Sequence, residues 1–353
     1  MTASNITNNC AIDAFTCSAH GVSPDHFIRY VLGLNPSEFI LMGYGRYGYR
    51  NCLKYAAIEI YINGGKNMGI CLDLKSQGCA DLVHLTQNES VFYETLSSKI
   101  PDYTSLTRID VAMDDHYGLL NMDTMSDKVE KREVRTRLRS RTQYKSLDDT
   151  DGHTIYLGTP QSDVRIRIYD KQAELHTISH WIRVELVLRR HAAKTFQAQV
   201  IQSIPAGSKN GNQQIAMLGA GVLRDKLAFI EPTDANISRC TVCSWWESFL
   251  EGLEPIHLAG QNREIPSIQQ MNAWLNKQVS GSLSLMTCLM GPAWLEQLIC
   301  DGAYRIKDEV AQPMVQELKA QQKSITIDPC QDYLPDRIRA AMVTYYNTYI
   351  PND

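Results

Sequence analysis

Three short stretches of the chain alternate strictly between polar and apolar residues. In 108–114, Arg108, Asp110, Ala112 and Asp114 alternate with Ile109, Val111 and Met113. In 164–171, Arg165, Arg167, Tyr169 and Lys171 alternate with Val164, Ile166 and Ile168. In 181–188, Trp181, Arg183, Glu185 and Val187 alternate with Ile182, Val184 and Leu186. A β-strand turns residues i, i+2 and i+4 to one side, so each stretch predicts a strand with one apolar face and one face of chemically capable groups.

Further strands are predicted over 55–62 and 68–74. Asn63-Gly64-Gly65-Lys66-Asn67 between them has hairpin-turn chemistry. Residues 154–157 read as another strand. Ser23-Pro24-Asp25 reads as an N-cap with proline at the first helical position, opening a short helix through Phe27, Tyr30 and Val31. Residues 80–100 read as mainly helical, with Leu82, Leu85, Phe92 and Leu96 facing a core. Helices are also expected from about Asp123 and over 192–204. A polar, turn-rich break covers 205–212, and a mixed segment covers 222–230. From about 236 the strand signals fade. Met271, Trp274, Leu275 and Val279 recur at helical spacing, and 283–298 continues that character across Gly291-Pro292.

The fold class expected is therefore α+β: a mainly antiparallel sheet with flanking helices, then a smaller helical C-terminal domain. The divisions are 1–22 as a flexible N-terminus, 23–235 as the first domain and 236–353 as the helical one.

Composition bears this out without narrowing it much. The 353 residues are 44% hydrophobic and 21% charged, as in a soluble globular protein. No apolar run approaches the roughly 20 residues needed to cross a bilayer. The first nine residues lack the basic and apolar regions of a secretory signal, so a cytoplasmic location is expected. Ten cysteines are scattered along the chain. Only Cys240 and Cys243 have metal or redox spacing; one such pair is weak, and both read as ordinary thiols. Net charge is −4, yet 128–145 is locally basic, with Arg135, Arg137, Arg139 and Arg141 at strict alternation. That segment suits either a solvated surface or a track for DNA phosphates.

If the three alternating strands share a sheet, one surface gathers Asp110, Asp114 and Glu185 with Arg167, Tyr169 and Arg183. Three carboxylates suit a hard divalent cation such as Mg²⁺ or Mn²⁺. A tyrosine beside one could attack phosphorus, with arginines holding the flanking phosphates. The same pattern equally suits a half-exposed sheet laced with cross-strand ion pairs, and periodicity does not choose between the two.

The ordered blocks Thr154–Thr159, Ser162-Asp163, Arg165-Ile166-Arg167-Ile168-Tyr169-Asp170-Lys171 with Glu174, and Trp181-Ile182-Arg183-Val184-Glu185-Leu186 do add something. Together with 69–79, 108–114, 222–225 and 274–279, they resemble the replication initiation factor family of rolling-circle plasmid and phage initiators, its filamentous-phage members in particular. The resemblance covers roughly residues 40–300. It implies a metal-dependent, sequence-specific nick at a double-strand origin. A tyrosine becomes joined to the 5′ phosphate, and a free 3′ OH is left as primer. Carried over, Tyr169 matches the nucleophile, with Arg167 and Lys171 beside it. Asp110 and Glu185 match the metal ligands, with Asp114 as a third candidate. Arg165 and Arg183, with the four arginines of 135–141, are the expected DNA contacts.

There is no His-hydrophobic-His triplet, so the paired-histidine metal arrangement of other nickases is not expected, and His116, His176 and His180 do not substitute for it. Tyr156 is the rival nucleophile and reads as structural. The Gly-Tyr loop at 43–49 reads as a surface turn or a base-stacking support. No phosphate-cradling loop occurs, so ATP-driven unwinding would fall to a host helicase, with a host polymerase extending the primer. A homodimer is compatible with this reading, and a membrane role is not. Two other functions remain: an origin-binding accessory factor or repressor that has lost nicking, and a relaxase serving mobilisation.

Overall fold

The computed structural model describes residues 10–97, 104–145, 152–175, 178–251, 253–258 and 268–303. Contacts divide the chain into two units, 1–260 and 261–353.

The first unit is built on a ten-stranded sheet. Its strands are β1 (Cys10–Ala19), β2 (Ile40–Met42), β3 (Asn51–Tyr55), β4 (Ile58–Ile62), β5 (Ile70–Leu74), β6 (Thr104–Asp115), β8 (Arg141–Lys145), β9 (His153–Leu157), β10 (Val164–Asp170) and β11 (Ile182–Arg189). Their spatial order is β2-β3-β4-β5-β1-β6-β11-β10-β9-β8, and the pairings are antiparallel. A small second sheet pairs β7 (Val134–Thr136) with β12 (Leu227–Phe229). The fold is the expected α+β class.

Helices flank the sheet, most of them on its apolar face. They are α1 (Pro24–His26, running on as a wider turn through Phe27–Val31), α2 (Ser76–Thr86), α3 (Val91–Ser97), α4 (Met122–Glu130), α5 (Lys171–Leu175), α6 (Arg190–Ser203), α7 (Gly211–Lys226) and α8 (Ser244–Phe249). Ser23 caps α1 as expected, accepting from the His26 amide. The core joins Phe15, Leu72, Ile109, Val111, Ile166, Ile168, Val184 and Leu186 from the strands to Phe92, Phe196, Ile215 and Trp246 from the helices. Gly219 of α7 lies so close to β6 that an added Cβ would stand 2.5 Å from a Val111 methyl, so only glycine lets the helix seat there.

Several expectations are corrected. Residues 10–19 are no flexible tail: β1 is a central strand between β5 and β6, with Phe15 and Cys17 fully buried. Its signal is weak because Ala14, Thr16 and Ser18 are small, and a register shift between Ile12 and Ala14 breaks the two-residue period. Residues 55–62 are not one strand. The chain turns at Ala56, in left-handed backbone, and pairs Tyr55 with Ile58. The stretch expected as one helix over 80–100 is, over its described residues, two helices, the first ended at Gln87, also left-handed. The segment 222–230 is the end of α7 followed by β12.

The first unit also runs past residue 235, where the sequence reading ended it. Trp246 of α8 is buried in the main core, and its indole donates to the Leu227 carbonyl at 3.2 Å. Cys240 and Cys243 are buried free thiols there. Burial, then the hydrogen bond to Glu231, pushes Cys243 up to about 12.

In the second unit, α9 (Ile268–Trp274) passes through a wider turn at Leu275–Val279 into α10 (Ser280–Met290). Gly291 then ends the run before α11 (Pro292–Ala303). Trp274 is 56% exposed, so it is no core anchor there.

Candidate active site

The polar faces of the three alternating strands converge. β11 lies between β6 and β10, and register fixes which side chains become neighbours. Asp114, Arg183, Tyr169 and Thr154 stand in one row across β6, β11, β10 and β9. Ala112, Glu185, Arg167 and Tyr156 form the next row, and Asp110, Val187 and Arg165 the one after.

At the centre, the Tyr169 hydroxyl donates to Glu185 Oε1 at 2.6 Å. The other oxygen of Glu185 accepts from Arg167 Nε at 3.0 Å and from a second nitrogen of the same fork. Glu185 is fully buried and Tyr169 nearly so. The Arg167 guanidinium lies 4.8 Å from the Tyr169 ring centre, and the Lys171 ammonium lies 5.5 Å from it. Lys171 is already ion-paired to Glu174 at 2.8 Å.

These contacts set the proton affinities. Burial, then the charge of Glu185, holds the Tyr169 phenol well above its ordinary value. Burial also raises the Glu185 carboxyl, although Arg167 and the Tyr169 hydrogen bond pull the other way. The carboxylate is thus the proton-accepting neighbour of the phenol, 2.6 Å away.

Arg183, an expected DNA contact, is engaged within the protein. Its fork is spent on Asp114, through Nε at 2.7 Å and Nη2 at 2.8 Å, while Nη1 reaches Asp13 at 2.7 Å. With its side chain 9% exposed, it ties β1, β6 and β11 together. Asp13, at the irregular point of β1, also accepts from the Ser76 hydroxyl. It belonged to no alternating pattern and was missed for that reason.

The three candidate metal ligands do not meet at a point. Glu185 faces Arg167 and Tyr169, Asp114 faces Arg183, and Asp110 is gripped by Arg108, through Nε at 2.8 Å. No group of three His, Cys, Asp or Glu side chains suited to a metal occurs among the described residues. Each carboxylate has a guanidinium as counter-charge, so as placed these residues do not fit a three-carboxylate cation site.

The basic segment does not form one edge either. Arg135 sits on β7 in the small sheet and donates to the Cys240 carbonyl. Arg137 and Arg139 lie exposed between β7 and β8. Arg141 begins β8 opposite Leu157, a core residue, so it shares the helix-covered side of the sheet. Thr142 and Tyr144 of β8 are on the Tyr169 side instead. The strict alternation continued through a gap between two strands, which periodicity alone could not reveal.

Arg165 remains on the candidate face, its guanidinium 4.0 Å from the Tyr156 ring centre. Tyr156 also meets Tyr144 edge-on, which supports its structural reading. His116 packs against Trp181, and His180 bonds Asp115. His176 lies outside the described residues. The 43–49 loop folds back over the sheet, with Tyr47 donating to Asp73 at 3.1 Å.

Known proteins share this architecture. Residues 104–299 match the replication initiation factor family. The chain belongs to that family. Residues 9–98 match the rolling circle replication initiation protein N-terminal domain, so the two matches together span the ten-stranded sheet. The chain is 22% identical over 280 residues to the putative DNA relaxase NicK of Bacillus subtilis (strain 168), covering 74% of this chain and 76% of that one. Its fold is similar to that of a rolling circle replication initiator protein from Geobacillus stearothermophilus, with a TM-score of 0.59 and 27% identity. That likeness covers 72% of this chain and 99% of the other. Residue 9 as the start of the N-terminal match agrees with β1 as an integral strand.

Proposed function

We propose that this member of the initiator family starts rolling-circle DNA replication by nicking one strand of an origin with Tyr169. The reading rests on the 2.6 Å hydrogen bond from the Tyr169 hydroxyl to Glu185, set beside Arg167.

In the reaction, Tyr169 Oη attacks the scissile phosphorus as its proton passes to Glu185 Oε1. The new Tyr–O–P bond replaces the P–O3′ bond. The departing 3′ oxygen takes a proton from water, leaving a 3′ OH primer and a 5′-phosphotyrosine link. Burial raises the phenol's proton affinity, so transfer to Glu185 must accompany attack rather than precede it. Arg167 stays cationic and can turn one arm of its fork to the phosphate as negative charge builds there. Arg183 holds the β6–β11 frame on which Glu185 is mounted.

Asp110, Asp114 and Glu185, paired as they are, do not support the cation-holding role expected of them, and the groups named above are the chain's own contribution. The protein would act in the cytoplasm on a plasmid or filamentous-phage replicon. A host helicase and polymerase would extend the primer. The likeness to a putative relaxase fits the same nick made on a mobilised plasmid, so the target DNA is what separates these two uses.

Supercoiled DNA of the protein's own replicon, incubated with the protein and Mg²⁺ or Mn²⁺, should become nicked with protein bound at the 5′ end. DNA that is bound yet never covalently attached under either ion would favour the accessory-factor reading.

A further inference from the structure

Arg189 of β11 stands directly opposite Arg108 of β6, on the same face as Tyr169. Arg165 of β10 is its diagonal neighbour, opposite Val187. Like charges facing each other across a strand pair are destabilising unless something offsets them. Little here does so. Asp110 engages Arg108. Arg189 has a neutral partner, the Pro160 carbonyl, at 2.7 Å. Arg165 lies over Tyr156, and its Nε is buried without a hydrogen-bond partner. The nearby Asp163 is paired with Arg190. Burial, then the charge of Arg108, lowers the pKa of Arg189, as expected where the local potential is strongly positive.

We propose that Arg108, Arg165 and Arg189 form an anion subsite for a DNA backbone phosphate, about two nucleotides from the phosphate that Tyr169 attacks. The inference rests on the nickase reading for the identity of its ligand. Guanidinium forks match phosphate oxygens, and among the described residues Asp110 is the one carboxylate ion-paired with any of the three, with the buried Asp73 a more distant charge on Arg108. Arg165 is four residues from Tyr169 along β10, or about 14 Å at roughly 3.4 Å per residue. An extended strand advancing roughly twice the 3.4 Å rise of stacked DNA covers that span in about two nucleotides. The subsite therefore holds one arm of the strand in line while Arg167 attends the reacting phosphate. Neither Arg108 nor Arg189 was among the DNA contacts expected from sequence.

The probe is a fluorescent oligothymidylate of roughly 16 nucleotides, followed by anisotropy across a salt series. Arg165→Gln and Arg189→Gln should each reduce the slope of log Kd against log salt by about 0.7. Arg189→Lys should keep the slope, as should Lys194→Gln on α6, on the opposite side of the sheet. Wild-type slopes in both Gln variants, or an equal drop in Lys194→Gln, would overturn the proposal.

A second measurement keeps the test open if a Gln variant fails to fold. Oligonucleotides spanning the mapped nick can carry single neutral methylphosphonates. In the wild type, binding should weaken most at the phosphate about two nucleotides from the nick. A uniform effect along the strand would overturn the subsite. Absence of any nick by the wild type would sink the nickase reading, while the oligothymidylate slopes would still decide whether the anion site exists.

Discussion

Tyr169 and Glu185 lie diagonally across neighbouring strands, two residues apart in register, and the phenol of the first donates to the carboxylate of the second at 2.6 Å. Nothing in the local sequence brings them together. They are 16 residues apart, and the antiparallel pairing of β10 with β11 makes the contact. In the proposed mechanism, that pairing gives a nearly buried tyrosine, a poor nucleophile by itself, a proton acceptor already in place.

The contact has a pH consequence. Glu185 must be charged to accept the proton, and burial raises its pKa. The adduct-forming rate in a single turnover should therefore climb with pH, through a midpoint above the roughly 4.3 of an ordinary glutamate. Glu185→Gln should lower that rate by about 10²–10⁴-fold and remove the acidic limb of the profile. A Gln variant with the wild-type rate and profile would mean that Glu185 only orients the ring.

Arg183 makes a structural prediction. It joins Asp13 and Asp114 in a largely buried cluster. Replacing it with Met would leave two carboxylates without their cation and should cost about 3–5 kcal/mol. Urea unfolding measures this directly. A loss below about 1 kcal/mol would show that solvent already serves those carboxylates.

The central place of β1 is tested at Phe15, which is fully buried and packs on Phe92 with ring centres 5.0 Å apart. Phe15→Ala should destabilise by about 3–5 kcal/mol. Deleting residues 1–19 should abolish cooperative unfolding, since β5 and β6 would lose the strand between them. A truncated protein that still melts sharply would restore the flexible-tail reading of the N-terminus.

How much of this was legible beforehand depended on how far each signal was local. The strand at 164–170 and the faces of 108–114 and 181–188 followed from two-residue alternation, which sheet geometry imposes directly. Tyr169, Arg167 and Glu185 stood out on those faces. β1 did not, because small residues and one irregular position weaken the period. The partners of the carboxylates were illegible as well: Asp110 turns to Arg108 on its own strand, Asp114 turns to Arg183 on β11, and alternation gives a face without giving a partner. The arginines of 135–141 misled for a related reason. Their period runs on where the chain leaves one sheet for another.

The most direct test of the central claim is covalent capture. Wild-type protein and Tyr169→Phe are each incubated with nick-spanning DNA, and the 5′-linked product is resolved under denaturing conditions. Wild type should form the adduct and Tyr169→Phe should form none, while binding DNA within about threefold of wild type, because the lost hydroxyl faces Glu185. Full-strength adduct in Tyr169→Phe, especially if Tyr156→Phe abolishes it, would contradict the assignment.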